Sequence, residues 1–144
     1  MEHQEIQFFF ETPIQIRFND IDSLGHVNNT IIQEYFDLGR MHYFKSVFTP
    51  NIDWTIFPAI IASIKTDFVS PVFINNKLLV KTKITKIGNK SMNLIQQITD
   101  TDGVIKAVSH SVMVGFDHTT QSSIEITKEW REKINTAEKG STEI

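Results

Sequence analysis

The chain has no cysteine. That absence excludes disulfides, thiolate metal sites and a cysteine nucleophile. A dominant charge sign is missing too. Fourteen Lys and Arg against 17 Asp and Glu give a formal net charge of −3, so no broad basic field exists to hold nucleic acid. No apolar run reaches the ~18 residues that a membrane helix requires. The opening "MEHQEIQFFFETP" holds acids and a Phe triplet where a signal peptide has a basic stretch and a long apolar one. The expectation is a cytoplasmic protein with no membrane or nucleic-acid partner. Internal repeats and low-complexity tracts are also lacking. What is present is a chain of 144 residues, 40% of them apolar, which suits one domain over residues 1–144 with a substantial core.

Hydrophobic period sets the order of elements. Ile14 to Phe18 ("IQIRF") alternates as a short strand. A polar stretch follows, and from Asn28 to Phe48 the apolar residues recur at spacings of three and four, which predicts a long helix with a broad apolar face. Asn28 or Asn29 is its natural N-cap, and Pro50 and Asn51 end the helical pattern. Strand-like segments then run over Pro58 to Val72, Lys77 to Ile87, Met92 to Ile98 and Val104 to Phe116. The joints are tight: "GNK" at Gly88 to Lys90 and "DTDG" at Asp100 to Gly103. In the second of these runs Leu78, Val80, Thr82 and Ile84 alternate against Lys81 and Lys83. Thr127 is placed to cap a closing helix whose Trp130 and Ile134 can pack back on the domain. Strands joined by tight turns are antiparallel. One long amphipathic helix buries its face against that sheet. The expected layout is α+β, an antiparallel sheet wrapped around one helix, the hotdog fold.

The stretch richest in reactive groups is "RFNDIDSLGHVNNTIIQEYF", Arg17 to Phe36. Asp20, Asp22 and His26 together have the donor types of a metal site, but no second His or H-x-x-x-H spacing accompanies them, so no metal is expected. Asp100 and Asp102 are explained by their hairpin turn.

"RFNDIDSLGHVNNTIIQEYFDLGR" resembles the acyl-CoA thioesterases of the hydroxybenzoyl-CoA thioesterase class, in particular their D-x-D-x-x-G-H-V-N-N branch. "IKTDFVSPV", "KIGNKSMNL" and "AVSHSVMVGFD" extend the likeness over about residues 12 to 117. The resemblance implies that the second Asp of the pair, Asp22, is the catalytic carboxylate, acting as general base or nucleophile. Asp20 is then the partner that holds the loop. Phe18 and Asn29 stand where some relatives carry Tyr and His. Leu24 stands where plant-type acyl-carrier-protein thioesterases carry Asn, while His26 keeps their histidine position.

For a thioester, His26 has two readings, a bond to the carbonyl or a structural bond to backbone. The backbone amide of Asn29, at the predicted helix start, is the expected donor to the developing oxyanion. Glu34 is a minor candidate for a second carboxylate. The resemblance also implies that Lys86, Lys90 and Ser91, around the Gly88 turn, meet the phosphates of coenzyme A or of a carrier-protein pantetheine. The alternative there is a solvated turn. The expected activity is hydrolysis of an acyl-CoA to free acid and CoA without a cofactor. Hydrolysis of an acyl-carrier-protein thioester and non-catalytic acyl-thioester binding are the alternatives. A hydratase would want a His–Asp or His–Glu dyad, for which no clear signature stands here. An exposed sheet edge, together with the family habit, implies a homodimer or homotetramer with Asp22 of one chain facing Lys90 of another.

Overall fold

A computed structural model describes residues 5–48 and 52–144. Its elements are β1 (Phe10–Ile14), α1 (Asn29–Val47), β2 (Ala59–Phe68), β3 (Leu78–Ile87), β4 (Ser91–Asp100), β5 (Ile105–Asp117), a short β6 (Ser122–Ser123) and α2 (Lys128–Ala137). The main strands are antiparallel in the order β1-β3-β4-β5-β2, with β6 added to β5. The sheet curls around α1, and the architecture is the expected hotdog. Among the described residues no helix is long and apolar enough to cross a membrane.

The strand expected at Ile14 to Phe18 lies earlier in the chain. Phe10 to Ile14 pairs with β3, and Phe18 begins a 3₁₀ turn with 82% of its surface exposed. Pro13 sits on the sheet edge, where its missing N–H costs no ladder bond. Beyond Ile14 the chain leaves the sheet, because the Arg17 N–H is drawn to the Asp20 carboxylate at 2.9 Å.

Asn28 caps α1 by accepting from the Thr30 N–H at 2.8 Å. The described helix closes on Phe48, whose N–H donates to Phe44 O at 2.9 Å. Pro50 and Asn51, expected to end it, lie outside the described residues. Two apolar clusters sit between helix and sheet. One surrounds Ile32, Tyr35, Phe36, Val72, Leu78 and Ile98; the other surrounds Tyr43, Phe44, Ile84, Met92, Met113 and Ile134. At Gly39 the helix backbone comes so close that an added Cβ would meet Val80 Cγ1 at 2.4 Å.

Two strand faces depart from the simple alternation. On β5 it is Ala107, Ser109, Ser111 and Met113 that face inward, while the Val108, Val112 and Val114 phase lies half-buried on the outside. Small side chains leave room for the helix there. Lys83, expected to alternate outward, is buried and lies 3.3 Å from Glu138, which is fully buried behind α2. The segment after α2 covers this face of β3: Thr142 Oγ1 donates to Ile84 O at 2.8 Å, and the Glu143 N–H donates to Thr85 O at 2.9 Å.

Candidate active site

The polar stretch between β1 and α1 is a compact loop held at both ends by backbone bonds. The Asn28 N–H donates to Asp20 O at 2.9 Å and the Val27 N–H to Val72 O at 2.8 Å. Inside that frame the Asp22 N–H donates to His26 O at 2.8 Å, and Gly25 turns the chain at φ +83°. A side chain with a Cβ rarely adopts that conformation, so glycine is required for the turn.

The two aspartates do different work. Asp20 is buried and surrounded by donors. Tyr35 Oη lies 2.5 Å from its carboxylate, the Arg17 N–H 2.9 Å and the Arg17 guanidinium 3.1 Å. Burial pushes its carboxyl up, but the Tyr35 hydroxyl and the Arg17 donors more than reverse this and hold it below the ordinary 3.8. The same contact raises Tyr35: burial first, then its bond to the Asp20 carboxylate, favour the neutral phenol. Asp20 therefore ties the loop to α1, the role read for it in the sequence. Asp22 is half-buried, and one of its oxygens accepts from the Leu24 N–H at 2.9 Å. Its second oxygen has no hydrogen-bond partner among the described residues.

Asn29 is the first residue of α1. Asn28 occupies the Thr30 N–H, whereas the Asn29 N–H has no partner among the described residues. Its exposed side chain is free of the capping role. His26 stands half-buried on the same loop with its ring edge-on to Phe73, centroids 5.1 Å apart. Neither a metal-sized cluster of three or more His, Asp or Glu nor a His–carboxylate bond stands here among the described residues.

Residues 16–134 match the model of the thioesterase-like superfamily. The chain belongs to that superfamily. A predicted thioesterase from Bacillus stearothermophilus has the same fold at TM-score 0.82 and 31% identity, over 89% of this chain and 95% of its own. A thioesterase from Thermus thermophilus, complexed with coenzyme A and Zn, superposes at TM-score 0.83 and 25% identity, over 92% and 96%. The uncharacterized protein YsmA of Bacillus subtilis (strain 168) is 28% identical over 87 residues, 60% of this chain. That match spans 58% of the relative's length.

The remaining candidates of this superfamily member stand apart from the loop. Lys86, Lys90 and Ser91 surround the β3–β4 turn, whereas the Asp22 loop packs against the Leu78 end of β3. Ten residues of strand separate those ends, roughly 30 Å at the usual rise. One chain does not bring the two groups together. Lys86 also lies 3.8 Å from Glu143, both exposed. Glu34 flanks a groove of about 560 Å³ between the exit of β1 and α1, with its carboxylate 3.8 Å from the Arg17 guanidinium. Tyr35, Asp37 and His42 also line that groove; Asp22 and His26 do not.

Two contacts escaped the sequence reading. Tyr35 is more than core packing, since its hydroxyl anchors Asp20. Gln33, one helical turn after Asn29, reaches Thr66 of β2 with Nε2 2.8 Å from Oγ1. A polar residue at the i+4 position on a helix face is the only signal that pointed to it.

Proposed function

We propose that the chain hydrolyses acyl-CoA thioesters, with Asp22 as the catalytic carboxylate and the Asn29 amide as oxyanion donor. The observation that carries this reading is a carboxylate oxygen on one loop and an N–H at the start of the helix it enters, both without partners among the described residues, in a thioesterase-like chain. As general base, the carboxylate takes a proton from water as that water attacks the thioester carbon; the carbonyl electrons move to oxygen, and on their return CoA leaves with that proton as the thiol. As nucleophile, it attacks the carbon itself, CoA leaves as a thiolate protonated from water, and a water then hydrolyses the anhydride to free acid and restores Asp22. Charge growing on that oxygen is met by the Asn29 N–H, where the helix dipole adds to the hydrogen bond. In this reading His26, its ring edge-on to Phe73, bonds the carbonyl or holds the loop.

A second copy of the chain completes the site in this reading. β2 is a ten-residue edge strand with Ile60, Ile64 and Phe68 38%, 43% and 45% exposed. Such an edge is a liability unless covered, and a two-fold axis covers both edges at once. Antiparallel pairing of the two β2 edges sets the loop end of one copy beside the β3–β4 turn end of the other. Lys90 and Ser91 of the second copy then approach the CoA side of Asp22, and the 30 Å separation within one chain ceases to be an obstacle. Bound coenzyme A in the Thermus thermophilus structure favours CoA over a carrier protein as the leaving group.

The test is thiol release from a panel of acyl-CoAs by the parent protein and by Asp22→Asn. The expected result is turnover by the parent and a loss of at least ~10²-fold in the variant. Absence of turnover on every acyl-CoA would refute the hydrolase reading; unchanged turnover in Asp22→Asn would refute the role of that residue. Sedimentation of the parent as a monomer at assay concentration would refute the two-copy site.

A further inference from the structure

We infer that the acyl site selects acyl groups bearing a neutral hydroxyl or keto oxygen, read by Gln33, Thr66 and Ser109; this rests on the thioester-hydrolase reading above. A polar line crosses the inner face of the sheet at a single register. Thr66 pairs with Ser109, Ser109 with Gln96, and Gln96 with Thr82, on four successive strands. Under the helix the line is fully used: Gln96 accepts from Arg40 at 2.9 Å and donates to Phe36 O and Thr82 Oγ1 at 3.0 Å each. Toward the open β2 edge some capacity is left over. Thr66 Oγ1 lies 2.8 Å from Gln33 Nε2, 3.2 Å from Gln33 Oε1 and 3.3 Å from Ser109 Oγ, while the second Gln33 amide hydrogen and the Ser109 hydroxyl hydrogen have no acceptor among the described residues; Gln33 and Thr66 are half-buried and Ser109 is buried. One step along β5, Ser111 is buried with its hydroxyl unpaired among the described residues.

This cluster lies where an acyl group attached at the proposed site would run. Gln33 and Asn29 are one turn apart on the same helix face, about 6 Å along the axis. Phe68, Thr66 and Ile64 follow one another inward along the same face of β2. An acyl chain leaving a carbonyl at the Asn29 amide therefore passes Phe68 and then reaches the Gln33 amide and two hydroxyls. A plain hydrocarbon there would strip water from polar groups and return no hydrogen bond. An oxygen on the chain would find both donors and acceptors, since a glutamine amide and hydroxyls offer each. The three side chains that form the cluster carry no charge, which fits a neutral oxygen and not a carboxylate.

The experiment compares kcat/KM for hexanoyl-CoA and for its hydroxy and keto derivatives, with the oxygen moved carbon by carbon. At one or more positions the oxygenated substrate should exceed the plain one by about tenfold or more, because sites built to bond an oxygen discriminate strongly against its absence. Thr66→Val, close to isosteric and on the sheet edge, and Ser109→Ala should each bring that ratio toward unity. A preference for the plain chain at every position overturns the inference while leaving the hydrolase reading intact. A ratio unchanged in both variants overturns the assignment of these residues. No turnover of any acyl-CoA overturns the hydrolase reading and this inference with it.

Discussion

Replacing Gly39 by alanine tests how tightly α1 is seated, because two opposing effects of known size meet at that position. Taken alone, the change should help. Alanine is more favourable than glycine in a helix interior by ~0.8–1.0 kcal/mol. Against this, the new Cβ would lie 2.4 Å from Val80 Cγ1 and 3.1 Å from Gln96 Nε2. Carbon atoms in contact sit about 3.5–4.0 Å apart, so the helix or Val80 must move by an ångström or more. Val80 is fully buried and β-branched, with one strongly limited side-chain torsion and no room to swing. Overpacking of this kind costs ~1–3 kcal/mol. Gln96 is also fully buried, and displacing it from Phe36 O or Thr82 Oγ1 adds the ~1–3 kcal/mol of an unsatisfied polar group. The sum is a net destabilisation of about 1–5 kcal/mol, centred near 3. Urea unfolding should show a lower midpoint with an unchanged slope. In the Gly39→Ala background, Val80→Ala should cost less than it does alone, because the new methyl fills part of the space vacated. A Gly39→Ala protein as stable as the parent would refute the close approach of helix and sheet.

Asn29→Pro probes the proposed oxyanion donor without touching a side-chain bond. Proline suits the first helical position, and Asn28 at φ −58°, ψ 138° already has the backbone a following proline needs. Thioesterase turnover should fall ~10²–10³-fold with the far-ultraviolet circular dichroism preserved, and a smaller loss would transfer the donor role elsewhere. Asp20 has its carboxyl held below 3.8 in the folded state, so its contribution to stability is complete above 3.8 and is lost as pH falls through the lowered value. Asp20→Asn should unfold more readily than the parent at pH 7 and show a shallower acid limb in thermal melts across the acid range; an identical acid limb would count against the Asp20 anchor. Lys83→Met strands the Glu138 carboxylate in the interior and should cost ~3–5 kcal/mol, whereas Lys83→Met with Glu138→Leu should recover much of it. Equal stability of the single variant and the parent, by urea titration, would show that Glu138 is neutral without its partner.

Much of the architecture could be read from periodicity, since each strand after α1 carries a run bounded by turn residues whose chemistry is local. The hairpin at Asp100 is an example: its carboxylate accepts from the Asp102 and Val104 N–H groups, and Gly103 adopts φ +84°, as an Asp-Gly turn requires. β1 was displaced because a five-residue edge strand, half of it covered, has little alternation to announce it. Lys83 was misplaced for a different reason. A strand pattern predicts which face a side chain points to, but whether that face is wet depends on a segment 55 residues away, which packs Glu138 over it. The inward phase of β5 was concealed in the same manner, since Ala107, Ser109 and Ser111 are chosen for size under a helix and not for hydrophobicity.

The two aspartates of the opening motif show where local reading of a site ends. By composition Asp20 and Asp22 are alike, two residues apart before a helix, and each is a plausible cap. Their roles separate only through residues elsewhere in the chain. Tyr35 sits 15 residues beyond Asp20 and donates its hydroxyl to it, and Arg17 adds two more donors. A carboxylate so fully engaged has neither the free oxygen nor the basicity to assist water. Asp22, two positions on, is half-buried and spends only one oxygen, on the Leu24 N–H. The anchored aspartate fixes the position of the unanchored one, because the Asn28 N–H to Asp20 O bond sets where the loop enters α1. Tyr35→Phe should therefore lower turnover chiefly through kcat, by loosening the distance between Asp22 and the Asn29 amide, with KM for the acyl-CoA little changed. A Tyr35→Phe protein that lost stability but kept full kcat would show that the anchor serves the fold alone.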